Sequence, residues 1–293
     1  MIMLLQWVFL HEKLKIEGIF NMIGIIGSGT MGKGIAIEFA KSNEKVVLVS
    51  AQRHLTSEEL LIEIDKVSNR YPDLDVNAIH GNITLSNVLS DLENCNFIIE
   101  AVSENLELKR DILREASKYI NDNAIYASNT SSLSVEDIFK DIIDLSRVCG
   151  LHFFNPVHVM KLVELSYLKD TSNEVIDTAK QLALSLDKEV ILVKNSPGFI
   201  VNRLLIPMIN EAAKIVEEGI ASIEDIDKAM KYGANHPLGP LKLSDLIGND
   251  ITLNILYSLQ DKLDLDISKL IKEKVENNDL GRKTKKGFYD YQK

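Results

Sequence analysis

This sequence predicts an α/β domain followed by an all-helical one, and three observations predict it. Short apolar runs alternate with helix-periodic segments from Met22 to about Lys194. A glycine-spaced turn joins the first run to the first helix. Strand-like runs then stop at Asn195-Ser196-Pro197-Gly198, after which only helical periodicity remains.

The elements follow in order. Apolar runs at 23–26, 46–49, 97–101, 124–127, 148–153 and 190–193 read as buried strands. Their alternation with helices implies a mainly parallel sheet wrapped by helices. Residues 54–80 are polar, with helical stretches around 57–67, and read as an excursion between the second and third of these strands. The first domain is therefore placed at 22–194 and the helical one at 195–293. In the latter, Ile200, Leu204, Leu205, Met208, Ile209, Ala212 and Val216 recur at helical spacing, and Gly219 ends that helix. Pro207 inside it predicts a kink. Ser222 with Asp225 predicts a capping box for the next helix, which stops near Gly233. A third helix is expected over about 241–260. The apolar faces are broad enough to pair with a second copy, so a homodimer through the C-terminal helices is expected. The alternative is that these faces pack only within the chain.

Composition excludes several classes. A net charge of −10 argues against nonspecific nucleic-acid binding and requires local cations for any anionic substrate. Cys95 and Cys149 sit in or beside apolar runs, which predicts buried free thiols and no disulfide. No Cys/His cluster has metal-ligand spacing, so no metal is expected. The apolar start, Met1 to Leu10, is too short to span a bilayer and lacks a basic leader and a small-residue cleavage site. Residues 1–21 read as a loose extension or an artefact of start assignment, with Met22 as the true start. A peripheral membrane anchor is the alternative. A cytoplasmic protein without membrane partners is the expectation.

The turn itself is the most specific local signal. Ile23 to Ile26 run into Gly27-Ser28-Gly29-Thr30-Met31-Gly32, which opens an apolar helix through Ile35, Ala36, Phe39 and Ala40. In such a strand–turn–helix, the first glycine permits the tight turn and the second lets a pyrophosphate approach. The third lets helix and strand pack closely, and the helix N-terminus faces the phosphates. A Rossmann-type domain binding a dinucleotide, with redox chemistry as the default function, follows.

Further motifs come in order along the chain. They are Ile99-Glu100-Ala101-Val102-Ser103-Glu104-Asn105 with Lys109, Ala127-Ser128-Asn129-Thr130-Ser131-Ser132-Leu133, and Gly150-Leu151-His152-Phe153-Phe154-Asn155-Pro156. Then come Met160-Lys161-Leu162-Val163-Glu164, Pro197-Gly198-Phe199-Ile200-Val201-Asn202-Arg203, His236-Pro237-Leu238-Gly239-Pro240 and the closing Gly287-Phe288-Tyr289-Asp290-Tyr291. From about Met22 to the C-terminus the series resembles the L-3-hydroxyacyl-CoA dehydrogenase family, most of all its bacterial 3-hydroxybutyryl-CoA members. The resemblance implies interconversion of a short-chain L-3-hydroxyacyl-CoA and its 3-oxoacyl-CoA.

Oxidising a secondary alcohol needs a base for the hydroxyl proton, and an imidazole titrates in the useful range. His152 lies in one apolar strand run and Glu164 in the next. If the two strands pair, the carboxylate can orient the imidazole. The resemblance implies the same roles, His152 as acid/base and Glu164 as its partner. It also implies Ser131 and Asn202 as donors to substrate oxygens. For Ser131 a helix N-cap is the alternative reading. As cofactor contacts the resemblance implies Gly27, Gly29, Thr30, Met31, Gly32, Ala101, Glu104, Lys109, Asn129, Ser131 and Asn155. An exposed ion pair is the plain alternative for Glu104 and Lys109.

Some positions depart from the pattern. The second strand should end in an acid that accepts the ribose hydroxyls of NAD. Here Ser50-Ala51-Gln52-Arg53 follows, so Ser50 and Arg53 could meet a 2′-phosphate, and NAD and NADP both stay open. The excursion at 54–80 is short and poor in basic residues for an arm that covers coenzyme A. A free 3-hydroxy acid is therefore a second reading of the substrate, and a non-catalytic dinucleotide-binding dimer a third. His158 reads as a loop variant. Lys285 stands where a glycine is common in the closing motif, with little effect expected.

Overall fold

The computed structural model describes residues 22–50 and 55–292. The extension expected at 1–21 and the phosphate partner expected at Arg53 lie outside these residues. The chain divides into two units between Ser196 and Pro197.

The first unit is built on one eight-stranded sheet. Its strands are β1 (Ile23–Ile26), β2 (Val46–Val49), β3 (Ile83–Ser86), β4 (Phe97–Glu100), β5 (Ile125–Ser128), β6 (Val148–Phe153), β7 (Leu162–Tyr167) and β8 (Glu189–Lys194). Their spatial order is β3-β2-β1-β4-β5-β6-β7-β8. All neighbouring pairs are parallel except β6 and β7. A parallel crossover needs about a dozen residues or more, and the loop at 154–161 is too short for one. The chain therefore turns back antiparallel. The strands β1, β2, β4 and β6 are buried along their whole length, which explains the Val- and Ile-rich runs of β1, β2 and β4.

The helices of this unit are α1 (Thr30–Lys41), α2 (Ser57–Ser68), α3 (Val76–Gly81), α4 (Leu106–Ala116), α5 (Val135–Phe139) and α6 (Asn173–Ser185). The core draws on α1 through Ile35 and Phe39, on the sheet through Phe97 and Leu151, and on α6 through Leu182. The polar excursion holds more structure than its pattern predicts. Thr56 and Glu59 form a full capping box at the start of α2, α3 follows, and β3 then extends the sheet at its edge. Cys95 and Cys149 are buried free thiols, and burial pushes both up to about 12.

The second unit is helical, with α7 (Val201–Glu217), α8 (Ile223–Gly233), α9 (Pro240–Ile247), α10 (Asn249–Leu263) and α11 (Lys269–Glu276). Ile206, Ile209, Leu241, Leu256, Leu259 and Ile271 form its core. The helix α7 runs on through Pro207, and Gly219 follows its end at φ 68°. The single helix expected over 241–260 is two. Gly248 stands between them at φ 111°, a value that only glycine adopts easily. The capping box expected at Ser222 is half formed. Its hydroxyl accepts from the Asp225 N–H at 3.1 Å, but donates to the Asp225 carboxylate at 2.8 Å.

Two buried aspartates staple this unit. Asp245 accepts from the Phe288 and Tyr289 N–H groups, the Tyr291 hydroxyl and the Asn249 amide, at 2.8 to 3.1 Å. Asp227 accepts from the Leu241 and Lys242 N–H groups and the Tyr289 hydroxyl. The closing motif is thus bound down by side chains of α8 and α9.

Candidate active site

The sheet order reverses between β1 and β4, which opens a crevice at their carboxyl ends. The glycine turn sits there. Gly27 has φ 114°, and a Cβ on it would lie 2.6 Å from the Ala101 carbonyl oxygen at the end of β4. A Cβ on Gly32 would lie 1.7 Å from the Gly27 oxygen, whereas one on Gly29 would meet nothing within 4 Å. The turn is thus closed against the protein at two glycines and open at the third. No side chain caps α1, and its first turn holds no acid. Among the described residues, the other five α-helices of the unit each carry a side-chain cap. The positive end of α1 is left for an anion, and Gly29 and Thr30 are exposed beside it. Met31 is half-buried. This cradle fits a dinucleotide pyrophosphate.

Ser50 follows β2 at the same edge. It is 4% exposed, and its hydroxyl lies 2.5 Å from that of Ser28. The position that commonly carries an acid therefore holds a neutral hydroxyl tied to the turn.

Below the crevice lies a charged network that the sequence pattern only half reveals. Glu100 ends β4 and is fully buried. It accepts from Lys109 at 2.8 and 3.0 Å, from the Val102 N–H at 2.6 Å and from the Ser128 hydroxyl at 2.6 Å. Lys109, 1% exposed on α4, also pairs with Glu104 at 3.3 Å. The ion pair considered for Glu104 and Lys109 is thus part of a three-charge cluster in which Glu100 and Lys109 are buried and the Glu104 side chain stays 31% exposed. The second Glu104 oxygen accepts from the Thr130 hydroxyl at 2.6 Å, the Ser131 N–H at 2.9 Å and hydroxyl at 3.3 Å, and the Ser132 N–H and hydroxyl, both at 3.0 Å. Burial opposes ionisation of Glu104, but the Lys109 charge and these hydrogen bonds outweigh it and hold the carboxyl below its ordinary range. Ser131 is not the N-cap of the helix that follows; Ser134 is. The Asn129 amide oxygen accepts from the Phe153 N–H at 2.9 Å and fastens this loop to β6.

His152 and Glu164 are register partners on β6 and β7. The imidazole Nδ1 stands 2.7 Å from the Glu164 Oε2, with the side chains 7% and 0% exposed. A carboxylate only accepts, so Nδ1 donates to Glu164. Phe154 stacks at a tilt on the imidazole, with centroids 4.3 Å apart.

The loop carrying Asn155 is clamped from outside. Lys188 donates to the Val157 and Met160 carbonyls at 2.6 and 3.2 Å and pairs with Glu38 of α1 at 2.9 Å, both side chains buried. Tyr71 donates to the His158 carbonyl at 3.0 Å. Burial lowers the His158 imidazole below its ordinary value.

The structure thus joins His152 to Glu164, and Ser131 to Glu104 and Lys109. Asn155 is exposed on its loop, and Asn202 lies half-buried at the start of α7 in the second unit. Glu100, Glu38 and Lys188 were not singled out from sequence. An acid closing the apolar run Phe97-Ile98-Ile99 was the available signal for Glu100.

A doubly wound sheet with an uncapped helix at its switch point, and a buried histidine–carboxylate pair along the same strand ends, defines a nicotinamide dinucleotide-dependent oxidoreductase. The profile described as "3-hydroxyacyl-CoA dehydrogenase, NAD binding domain" matches residues 22–196, and that described as "3-hydroxyacyl-CoA dehydrogenase, C-terminal domain" matches 198–291. The chain belongs to the 3-hydroxyacyl-CoA dehydrogenase family. It is 41% identical to a 3-hydroxybutyryl-CoA dehydrogenase of Clostridioides difficile over 280 residues, covering 92% of this chain and 99% of that one. It is 35% identical to the human mitochondrial hydroxyacyl-coenzyme A dehydrogenase, covering 93% and 92% of the two chains. The crystal structure of (S)-3-hydroxybutyryl-CoA dehydrogenase from Ralstonia eutropha superposes with a TM-score of 0.87 at 39% identity, covering 94% of this chain and all of that one. Both the family resemblance and the fold class expected from the sequence are met. Among the described residues, no helix is long and apolar enough to cross a membrane.

Proposed function

We propose that this chain interconverts a short-chain L-3-hydroxyacyl-CoA, foremost 3-hydroxybutyryl-CoA, and the corresponding 3-oxoacyl-CoA. The observation that carries the reading is the buried His152–Glu164 pair, supported by the names of the relatives above. In the oxidising direction the hydroxyl proton passes to His152 Nε2. Glu164, held through Nδ1, keeps the ring oriented and stabilises the imidazolium that forms. Ser131 keeps its N–H on Glu104 and turns its single O–H from Glu104 to the reacting oxygen, and Asn202 is assigned a similar donation to substrate by its match to the family motif. The bound nicotinamide supplies the acceptor for the hydride leaving C3. Gly27, Gly29, Thr30, Met31, Gly32, Ser50 and Ala101 hold its phosphate and adenosine half, while Glu104, Lys109, Asn129 and Asn155 border the nicotinamide half. Lys109 acts there through its buried charge, because its ammonium is already bound by Glu100 and Glu104.

Ser50 in place of an acid removes the charge that would repel a 2′-phosphate, and no acid follows through residue 54. The site accordingly accepts NADPH as well as NADH. Leu204, Ile220 and Tyr232 are 71%, 67% and 77% exposed on the helical unit, which supports a homodimer built there.

The test is oxidation of NADH and of NADPH by the purified protein with acetoacetyl-CoA, with free acetoacetate in parallel. Turnover with the thioester and not with the free acid is expected. Turnover with the free acid alone would move the substrate to a hydroxy acid without coenzyme A. Binding of dinucleotide without turnover of either would leave a non-catalytic role.

A further inference from the structure

We propose that Glu100 is a positioning residue for Ser131, acting through Lys109 and Glu104. The inference rests on the role given to Ser131 in the proposed reaction. The Glu100 backbone oxygen accepts from the Asn129 N–H at 2.8 Å, and two routes lead from its carboxylate to the turn beyond. One is ionic. Glu100 holds the Lys109 ammonium by both oxygens, Lys109 holds one oxygen of Glu104, and the other Glu104 oxygen gathers five donors from Thr130, Ser131 and Ser132. The second is neutral. Glu100 accepts from the Ser128 hydroxyl, whose oxygen accepts from the Thr130 N–H at 3.2 Å. Both routes converge on the turn at 130–132.

The arrangement exceeds what burial of an ion pair requires. A buried pair is weak evidence for stability, since apolar replacements of similar volume are often as stable. Here the charges alternate, negative, positive, negative, and Lys109 is shared between two carboxylates. If the Glu100 charge is removed, the ammonium turns wholly to Glu104. That draws Glu104 Oε2 toward α4 and swings Oε1 away from the Ser131 N–H that fixes the residue. A donor moved by about 1 Å loses on the order of 100-fold in rate at worst.

The experiment is a double-mutant cycle on the full chain, using acetoacetyl-CoA and whichever dinucleotide is turned over. E100Q is expected to lower kcat about 10-fold with the KM for the dinucleotide within about twofold, and S131A to lower kcat about 100-fold. The double variant is expected to be no slower than S131A, because Glu100 acts only through that residue. Losses that multiply in the double variant would assign Glu100 a general structural role and overturn the proposal. So would E100Q with wild-type kcat. S131A with wild-type kcat would remove the Ser131 assignment itself, and with it the end point of the chain. Should E100Q fail to fold, E100D keeps the charge but shortens its reach. The same non-additivity with S131A is then expected, and additivity overturns the proposal.

Discussion

The buried carboxylates of the N-terminal unit and the two staple aspartates of the helical unit keep contrasting company. In the N-terminal unit each buried carboxylate near the crevice faces a cation or an imidazole: Glu100 meets Lys109, Glu38 meets Lys188, and Glu164 meets His152. In the helical unit the carboxylates of Asp245 and Asp227 are satisfied mainly by backbone N–H groups and tyrosine hydroxyls. Backbone donors do not titrate and cannot leave, so an aspartate held by them serves as a fixed staple. A carboxylate facing an ionisable partner responds when the partner's charge changes. The first kind of burial suits a site and the second a scaffold.

Two substitutions separate the two kinds and a third tests the backbone of the closing motif, from the largest effect to the smallest. H152A is expected to lower kcat by about 10³- to 10⁴-fold, read in the acetoacetyl-CoA assay, with dinucleotide binding and the melting curve nearly unchanged. Retained activity would break the contrast at its functional end. D245A strips the acceptor from two N–H groups, a tyrosine hydroxyl and an asparagine amide. It is expected to cost the helical unit about 3 kcal/mol or more in chemical denaturation, while NADH binding, followed by fluorescence, persists. A loss of binding in step with that unfolding would show that the staple serves the site as well. K285G is the smallest change. Lys285 sits at φ 60°, and a glycine there removes the left-handed strain at some cost in chain entropy. A gain of about 0.5 kcal/mol is expected, seen as a slight rise in Tm and no change in kcat.

Much of this was legible in the sequence where one physical signal dominated. Strands buried on both faces need unbroken apolar runs, so β1, β2, β4 and β6 stand out. The edge strand β3, Ile83-Thr84-Leu85-Ser86, buries only its two ends and leaves no such run. Gly248 was hidden inside an apolar periodicity that continues across it, so two helices read as one. His152 and Glu164 could be paired because both lie in apolar strands where a polar side chain needs a partner. The Lys109 partner could not be read off. Glu100 lies nine residues from it, at a strand end, and only the path from β4 into α4 brings the two together. Glu38 and Lys188 lie farther apart still along the chain, and no periodicity links them.

The hydrogen bond between His152 and Glu164 is set by strand register, because the two residues face each other across β6 and β7. A one-residue slip of either strand turns one partner to the opposite face of the sheet. The proton-transfer pair is thus inherited with the sheet itself, and any change that preserves the β6–β7 ladder preserves it.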